Sequence, residues 1–225
     1  MKRSDINRAI EKAIALMRRE KFHLPPFAFW APRDWAARAA AADELRACGL
    51  GWDITDFGSN RFRRIGLLLF TIRNGHLTHP RYKHKTFCEK IMVAEEDQVT
   101  PMHSHWKKVE DIINRGGGRL AIRFYNATPS GGLARTRVSV SVDGLRRTLP
   151  AGGLLTLKPG ESVSIPRGLY HKFWAARGHG PVLIGEVSAI NDDARDNRFY
   201  DKIGRFPRIE EDEPPKHLLF SDYPR

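Results

Sequence analysis

Met102-His103-Ser104-His105-Trp106-Lys107-Lys108-Val109-Glu110 is the run on which the reading of this chain turns. Two histidines stand two apart, and a carboxylate follows after four intervening residues. On a strand, successive side chains point to opposite faces, so His103 and His105 share one face. Glu110 can reach the same spot from the next strand or turn. Two imidazoles and one carboxylate make a metal site with open positions. The plainer alternative is two half-buried strand histidines and a surface glutamate.

A second run, Gly160-Glu161-Ser162-Val163-Ser164-Ile165-Pro166-Arg167-Gly168-Leu169-Tyr170-His171, reads as strand, turn and strand. Pro166 presets φ and Gly168 admits the left-handed region, which makes the turn. His171 then enters a new strand, Tyr170 to Trp174. Together the two runs resemble the paired motifs of the cupin superfamily, H-x-H-x4-E and G-x5-P-x-G-x2-H. The first motif keeps its downstream glycine at Gly116, while Ala175 stands where the second usually ends in asparagine. The resemblance implies a jelly-roll β-barrel with His103, His105, Glu110 and His171 as four metal ligands.

With 225 residues, the chain is long enough for one domain with a sizeable core or for two small ones. Its longest apolar stretch, Ile65 to Ile72, is a buried strand rather than a membrane span. No signal-peptide core follows Met1 to Asn7, and Cys48 and Cys88 sit in no metal or redox spacing. Both read as free thiols of a cytoplasmic protein. A net charge of +12 raises nucleic acid as a partner. The basic residues are scattered, however. Neither Arg61-Phe62-Arg63-Arg64 nor Arg146-Arg147 lies on a reading helix, so no nucleic-acid or membrane partner is expected.

Taken in order, Ser4 to Phe22 reads as an amphipathic helix capped by Ser4, with Ile6, Ile10, Ile14 and Met17 on one face. A second helix runs from about Pro32 to Cys48 and stops at Gly49. From Gly51 the period shifts toward two. Strands are expected at Trp52–Phe57, Arg64–Ile72, Phe87–Val93, Arg119–Tyr125, Thr136–Val142, Leu145–Leu149, Leu154–Leu157, Ser162–Ile165, Tyr170–Trp174 and Val182–Ala189, and Asp97 to Met102 leads into the first histidine run. Asn74-Gly75 and Asp143-Gly144 read as hairpin turns, and Gly116-Gly117-Gly118 as a tight hairpin rather than a phosphate cradle. His76, His79 and His84 read as loop histidines, not a second metal site. The fold class is mainly β, a jelly-roll barrel with an N-terminal α-helical extension. One domain is expected: 1–50 helical, 51–190 barrel, and 191–225 a tail over the barrel. Within that tail, the acidic, proline-rich run Glu210 to Pro215 reads as exposed and irregular.

Three imidazoles and a carboxylate suit Mn, Fe, Co, Ni or Zn. Such an ion can take two adjacent sugar oxygens and stabilise an enediolate as a Lewis acid. Within cupins, Cys88 to Met92, Gln98 to His103, Trp106, Lys108 and Glu110 to Gly118 look like the D-lyxose ketol-isomerase family. This resemblance extends over most of the chain, and it is densest from Glu89 to Gly118 and at the Pro166 to His171 turn. It implies a manganese-dependent, usually dimeric sugar isomerase. Such an enzyme interconverts D-lyxose with D-xylulose, and often D-mannose with D-fructose, through a cis-enediol.

Proton transfer between C1 and C2 needs a base near the metal. Glu186, in mid-strand, is the candidate, because a carboxylate there needs a polar pocket or a partner. Lys108 lies between ligands and can contact a substrate oxygen. Asp201, on the tail, is a candidate acid–base group. Lys90, which shares parity with Met92, Trp106 and the tail residue Arg208 are candidates for substrate binding. Rival readings are a cupin phosphosugar isomerase, an iron-dependent cupin oxygenase, and a non-catalytic metal-bearing sugar-binding accessory protein.

Overall fold

A computed structural model describes residues 1–192, 195–204 and 206–224. Its centre is a pair of antiparallel sheets built from thirteen strands. In chain order these are β1 (Gly51–Thr55), β2 (Leu67–Arg73), β3 (Phe87–Ala94), β4 (Thr100–His105), β5 (Glu110–Gly117), β6 (Leu120–Tyr125) and β7 (Val138–Val142). Then follow β8 (Leu145–Leu149), β9 (Leu154–Leu157), β10 (Ser162–Ile165), β11 (Tyr170–Ala175), β12 (Val182–Ala189) and β13 (Asn197–Phe199). One sheet has the order β1-β2-β3-β12-β5-β10-β7-β8, the other β13-β4-β11-β6-β9. This is the jelly-roll expected from many short strands with Gly, Pro and Asp turns.

The inner faces meet in one core that includes Leu69, Met92, Ile112, Phe124, Val163, Phe173 and Ile184. Outside the eight-stranded sheet lies α1 (Arg3–Arg19). Its face of Ile6, Ile10, Ala13 and Met17 packs in a second cluster with Trp52, Ile54, Phe70, Ile91, Val93 and Leu183. Strands β1, β2 and β3 are therefore buried on both faces, which is why Leu67-Leu68-Leu69-Phe70 shows no alternation. Burial of each α1 isoleucine is worth about 1.5–3 kcal/mol.

Several local expectations are corrected. The helix is capped by no side chain of its own; instead Asp212 from the tail accepts hydrogen bonds from the Ser4 backbone N–H and hydroxyl. The second helix is broken into α2 (Pro32–Arg38), a tight turn over Ala39–Ala42 and α3 (Asp43–Ala47). Alanine favours helix but brings little apolar area to bury, so Trp35, stacked on Tyr223, anchors this region. Asn74-Gly75 is no type I′ turn, since neither residue has positive φ. Asn74 instead holds Asn191 by two hydrogen bonds, and β2 pairs with β3 across a long loop. Asp143-Gly144 does form the β7–β8 turn, with φ of 49° and 81°. The triple glycine is not a hairpin: it carries the chain from β5 in one sheet to β6 in the other. A Cβ on Gly117, at φ +80°, would meet the Pro181 carbonyl oxygen at 2.3 Å. The acidic run of the tail is exposed and irregular, as expected, and it is fastened to α1, while the tail also contributes β13 to the smaller sheet.

Among the described residues, no helix is long and apolar enough to cross a membrane. Cys48 and Cys88 are buried and are not joined in a disulfide.

Candidate active site

The two histidines of β4 and the glutamate that opens β5 meet His171 of β11 on the inside of the barrel. The β4–β11 register sets His171 directly opposite His103. The Pro166–Gly168 turn delivers His171 and also fixes the end of β4, because the Gly168 N–H donates to the His105 carbonyl at 2.9 Å. Gly168 has φ +74°, as its place in the turn requires. One donor atom from each of His103, His105, Glu110 and His171 lies within 4.8 Å of all the others, and all four side chains are buried.

Hydrogen bonds orient two of the rings. His103 Nδ1 lies 2.8 Å from the Pro101 carbonyl oxygen, and His171 Nδ1 lies 3.1 Å from that of Leu169. A carbonyl only accepts, so each ring carries a proton on Nδ1 and turns Nε2 to the centre. Burial, then the neighbouring His171 and His105, hold the His103 pKa well below the usual histidine value, so its ring is neutral. Burial alone would raise the Glu110 carboxyl, but Lys108 and His105 outweigh it and hold the group well below the usual range. Glu110 is thus an anion among imidazole nitrogens. His171 Nε2 is 2.9 Å and His105 Nε2 3.3 Å from Glu110 Oε1, and all three atoms are buried without a hydrogen bond. Acceptors this close in a buried site repel unless a cation lies between them. The donor set and its orphaned atoms fit a divalent metal ion held by His103, His105, Glu110 and His171.

The cluster opens on a pocket with about 500 Å³ of atom-free space, including its solvent-open mouth. Lys90, Lys108 and Glu186 give it a polar wall, while Phe57, Leu69, Met92, Phe173 and Phe199 give it an apolar one. Glu186 on β12 stands opposite Lys90 on β3. Its Oε1 accepts from Lys108 Nζ at 2.7 Å and Ser188 Oγ at 3.0 Å, with Lys90 Nζ at 3.5 Å. Lys108 Nζ also lies 2.8 Å from Glu110 Oε2, so one ammonium bridges both carboxylates. Burial would raise Glu186, but Lys108 and then Lys90 hold it below the ordinary carboxylate value. Lys90 is steadied by Asn191 at 2.5 Å.

Three further residues singled out in the sequence do not line this pocket. Trp106 is 58 % exposed, with the Arg198 guanidinium 4.7 Å from its ring centre. Asp201 and Arg208 are exposed on the tail. At Arg208 the chain has reached the start of α1, where the Arg208 carbonyl accepts from the Met1 ammonium at 2.7 Å. The tail does reach the pocket, through Asn197 and Phe199 of β13. Neither was foreseen, since a three-residue strand leaves no periodicity to read. Phe57 was also missed. It lines the pocket at φ +53°, a conformation rare for an aromatic, held by Asp56 accepting from the Gly58 and Asn60 N–H groups. His76, His79 and His84 form no metal cluster among the described residues.

A jelly-roll of two antiparallel sheets with three histidines and a glutamate gathered inside it defines a cupin-type protein. The D-lyxose isomerase family model matches residues 1–223. The chain belongs to that family, which is one of aldose–ketose isomerases. It is 48 % identical to a D-lyxose/D-mannose isomerase of Serratia proteamaculans, covering 100 % of this chain and 99 % of the relative. Identity to the D-lyxose/D-mannose isomerase of Escherichia coli O157:H7 is 46 %, over 99 % and 98 % of the two chains. The fold is shared with a mutant L-ribose isomerase of Acinetobacter sp. DL28 in complex with L-ribose. That match has a TM-score of 0.62 and 14 % identity, over 93 % of this chain and 98 % of the other.

Proposed function

We propose that this protein interconverts D-lyxose with D-xylulose, and D-mannose with D-fructose, using Mn2+ held by His103, His105, Glu110 and His171. The observation that carries the reading is the shared cavity: an ionised carboxylate, Glu186, faces the same space as His103, His105 and Glu110 of the cluster. The full-length relatives support the substrates. A divalent ion held there supplies Lewis acidity, polarising the sugar carbonyl and favouring negative charge on the adjacent oxygens.

The rest is done by the chain. The Glu186 contacts with Lys108, Lys90 and Ser188 are all made through Oε1, so the reading gives Oε2 to the substrate. Glu186 takes the proton from C2 of the aldose. The C2–H electron pair becomes the C1=C2 bond of a cis-enediol, and the carbonyl pair moves to O1, which takes up a proton. Return of the Glu186 proton to C1, with loss of the O2 proton, gives the ketose. Lys108 orients Glu186 and donates toward the substrate oxygens, and Lys90 orients the sugar. The apolar wall excludes water from the enediol.

Free sugars are favoured over phosphosugars, because both pocket lysines already face carboxylates: Lys90 meets Glu186, and Lys108 meets Glu110 and Glu186. We infer further that the protein is a single-domain, cytoplasmic homodimer. Cys48 and Cys88, buried and not joined in a disulfide, support the compartment. Phe87 and Val187, exposed on the outer face of adjacent strands β3 and β12, support the dimer.

The test is a panel of free pentoses and hexoses against phosphosugars, with Mn2+ added, in D2O. D-lyxose and D-mannose should turn over, with solvent deuterium entering at the exchanged carbon. Glu186→Gln should hold Mn2+ but lose that exchange. Turnover of phosphosugars alone would reject the substrate assignment, and undiminished deuterium entry in Glu186→Gln would reject the base.

A further inference from the structure

His103 and His171 each have Nδ1 bonded to a backbone carbonyl, but His105 does not. Its Nδ1 is buried without a hydrogen-bond partner, and Asp196 Oδ2 lies 3.9 Å away. Asp196 is itself buried, 5 % exposed, on the tail just before β13. Its Oδ1 accepts from the Lys107 N–H at 2.7 Å and its Oδ2 from the Lys108 N–H at 3.0 Å. Its carbonyl accepts from the Trp106 N–H at 3.2 Å. The next residue, Asn197, pairs with His105 in the β4–β13 ladder. One tail residue therefore grips the whole turn between two of the cluster's four members.

We propose that Asp196 is a positioning residue of the metal centre. Its carboxylate accepts the His105 Nδ1–H when Nε2 is coordinated, and its clamp on residues 106–108 keeps Lys108 between Glu110 and Glu186. The proposal rests on reading the four-residue cluster as a metal site. Coordination at Nε2 draws electron density from the ring and makes Nδ1–H a stronger donor, and a carboxylate is the strongest neutralising acceptor for it. Closing the gap to a hydrogen bond of about 2.8 Å takes a movement of about 1 Å. An aspartate oxygen has two lone pairs, so Oδ2 keeps the Lys108 N–H as well. The backbone clamp uses both oxygens as acceptors, and the negative charge matters for the imidazole.

The test variant is Asp196→Asn, which keeps one acceptor oxygen and removes the charge. Circular dichroism and metal-free thermal unfolding report its fold. Mn2+ affinity, read from the electron-paramagnetic signal of free Mn2+ against a chelator, is expected to fall about 10–100-fold. In parallel, the 15N-histidine spectrum of the Zn2+-loaded wild type should show His105 Nδ1 protonated, shifted downfield and protected from exchange. That signature should be lost in Asp196→Asn. A folded Asp196→Asn that holds Mn2+ as tightly as the wild type overturns the proposal. So does a wild-type His105 Nδ1–H that exchanges freely with solvent, a measurement that needs no variant. A wild type that binds neither ion overturns the metal reading itself, and this proposal with it.

Discussion

A single ammonium joins the chemistry of this site to its stability. Lys108 is 3 % exposed, and burial alone would strip its charge. Glu110 and Glu186 outweigh that penalty and hold its pKa above the ordinary lysine value. Lys108→Met leaves two buried carboxylates without their shared cation. Removing one partner of a buried pair costs about 3–5 kcal/mol. Urea unfolding of the metal-free variant should show a loss of that size. The double variant Lys108→Met/Glu186→Gln should recover part of it, with a coupling of about 1 kcal/mol or more. A single variant as stable as the wild type would mean that the cluster is not held together by this charge. Gly117 poses the opposite problem, of space. Gly117→Ala forces a Cβ against the Pro181 carbonyl at a left-handed φ, and a loss of about 2 kcal/mol is expected in the same assay.

The tail and α1 act as one element. Arg3, 3 % exposed, donates to Glu211 through Nε and Nη2 and to Asp222 through Nη1, while Asp212 bonds Ser4 and Glu213 bonds Asn7. The carboxylates stand where the α1 N-terminus leaves its N–H groups unpaired. Hydrogen bonds from Arg3 hold Glu211 below its usual pKa, and those from Ser4 do the same for Asp212. A depressed carboxylate stabilises fully above its unfolded pKa, and the contribution fades as pH falls through the folded one. Amides of residues 208–216 should therefore exchange faster as pH drops below about 4, after correction for intrinsic rates. Arg3→Ala should speed the same amides already at neutral pH; unchanged protection in both cases would remove the clasp. This also marks the limit of what the sequence carries. Periodicity and turn residues place β9, β10 and β12 at their observed bounds and the Asp143-Gly144 turn correctly. The ligand motif was equally readable, because alternation and turn chemistry are local. Glu210 to Glu213 looks like solvated charge until Arg3, some two hundred residues away, is brought beside it. Asn74 looks like a hairpin residue until Asn191 claims its side chain. Asp196 and Phe199 enter the site by long-range pairing that no local pattern records.

At the scale of the whole molecule, the cluster joins the two sheets. His103, His105 and His171 stand on β4 and β11 of the five-stranded sheet, while Glu110 alone reaches across from β5 of the eight-stranded one. Three of these atoms, His105 Nε2, His171 Nε2 and Glu110 Oε1, are buried close together without a hydrogen-bond partner. A divalent ion bound by the proposed ligands would attract all four groups and so link the two sheets. An unfolded chain cannot bring these four residues together, so binding must stabilise the native state by mass action. At a free concentration of one hundred times Kd the gain is about 2.7 kcal/mol. For a chain of this length, a Tm rise of about 5–10 °C should follow. Thermal unfolding with Mn2+ titrated against a chelator measures it. His171→Ala should start at a comparable metal-free Tm and show little shift, because it removes both a ligand and part of the repulsion. Glu110→Gln should also lose the shift, although its three histidines remain on one sheet. If Glu110→Gln keeps the full wild-type rise, the ion is held by the five-stranded sheet alone, and the bond between the sheets is not made through the metal.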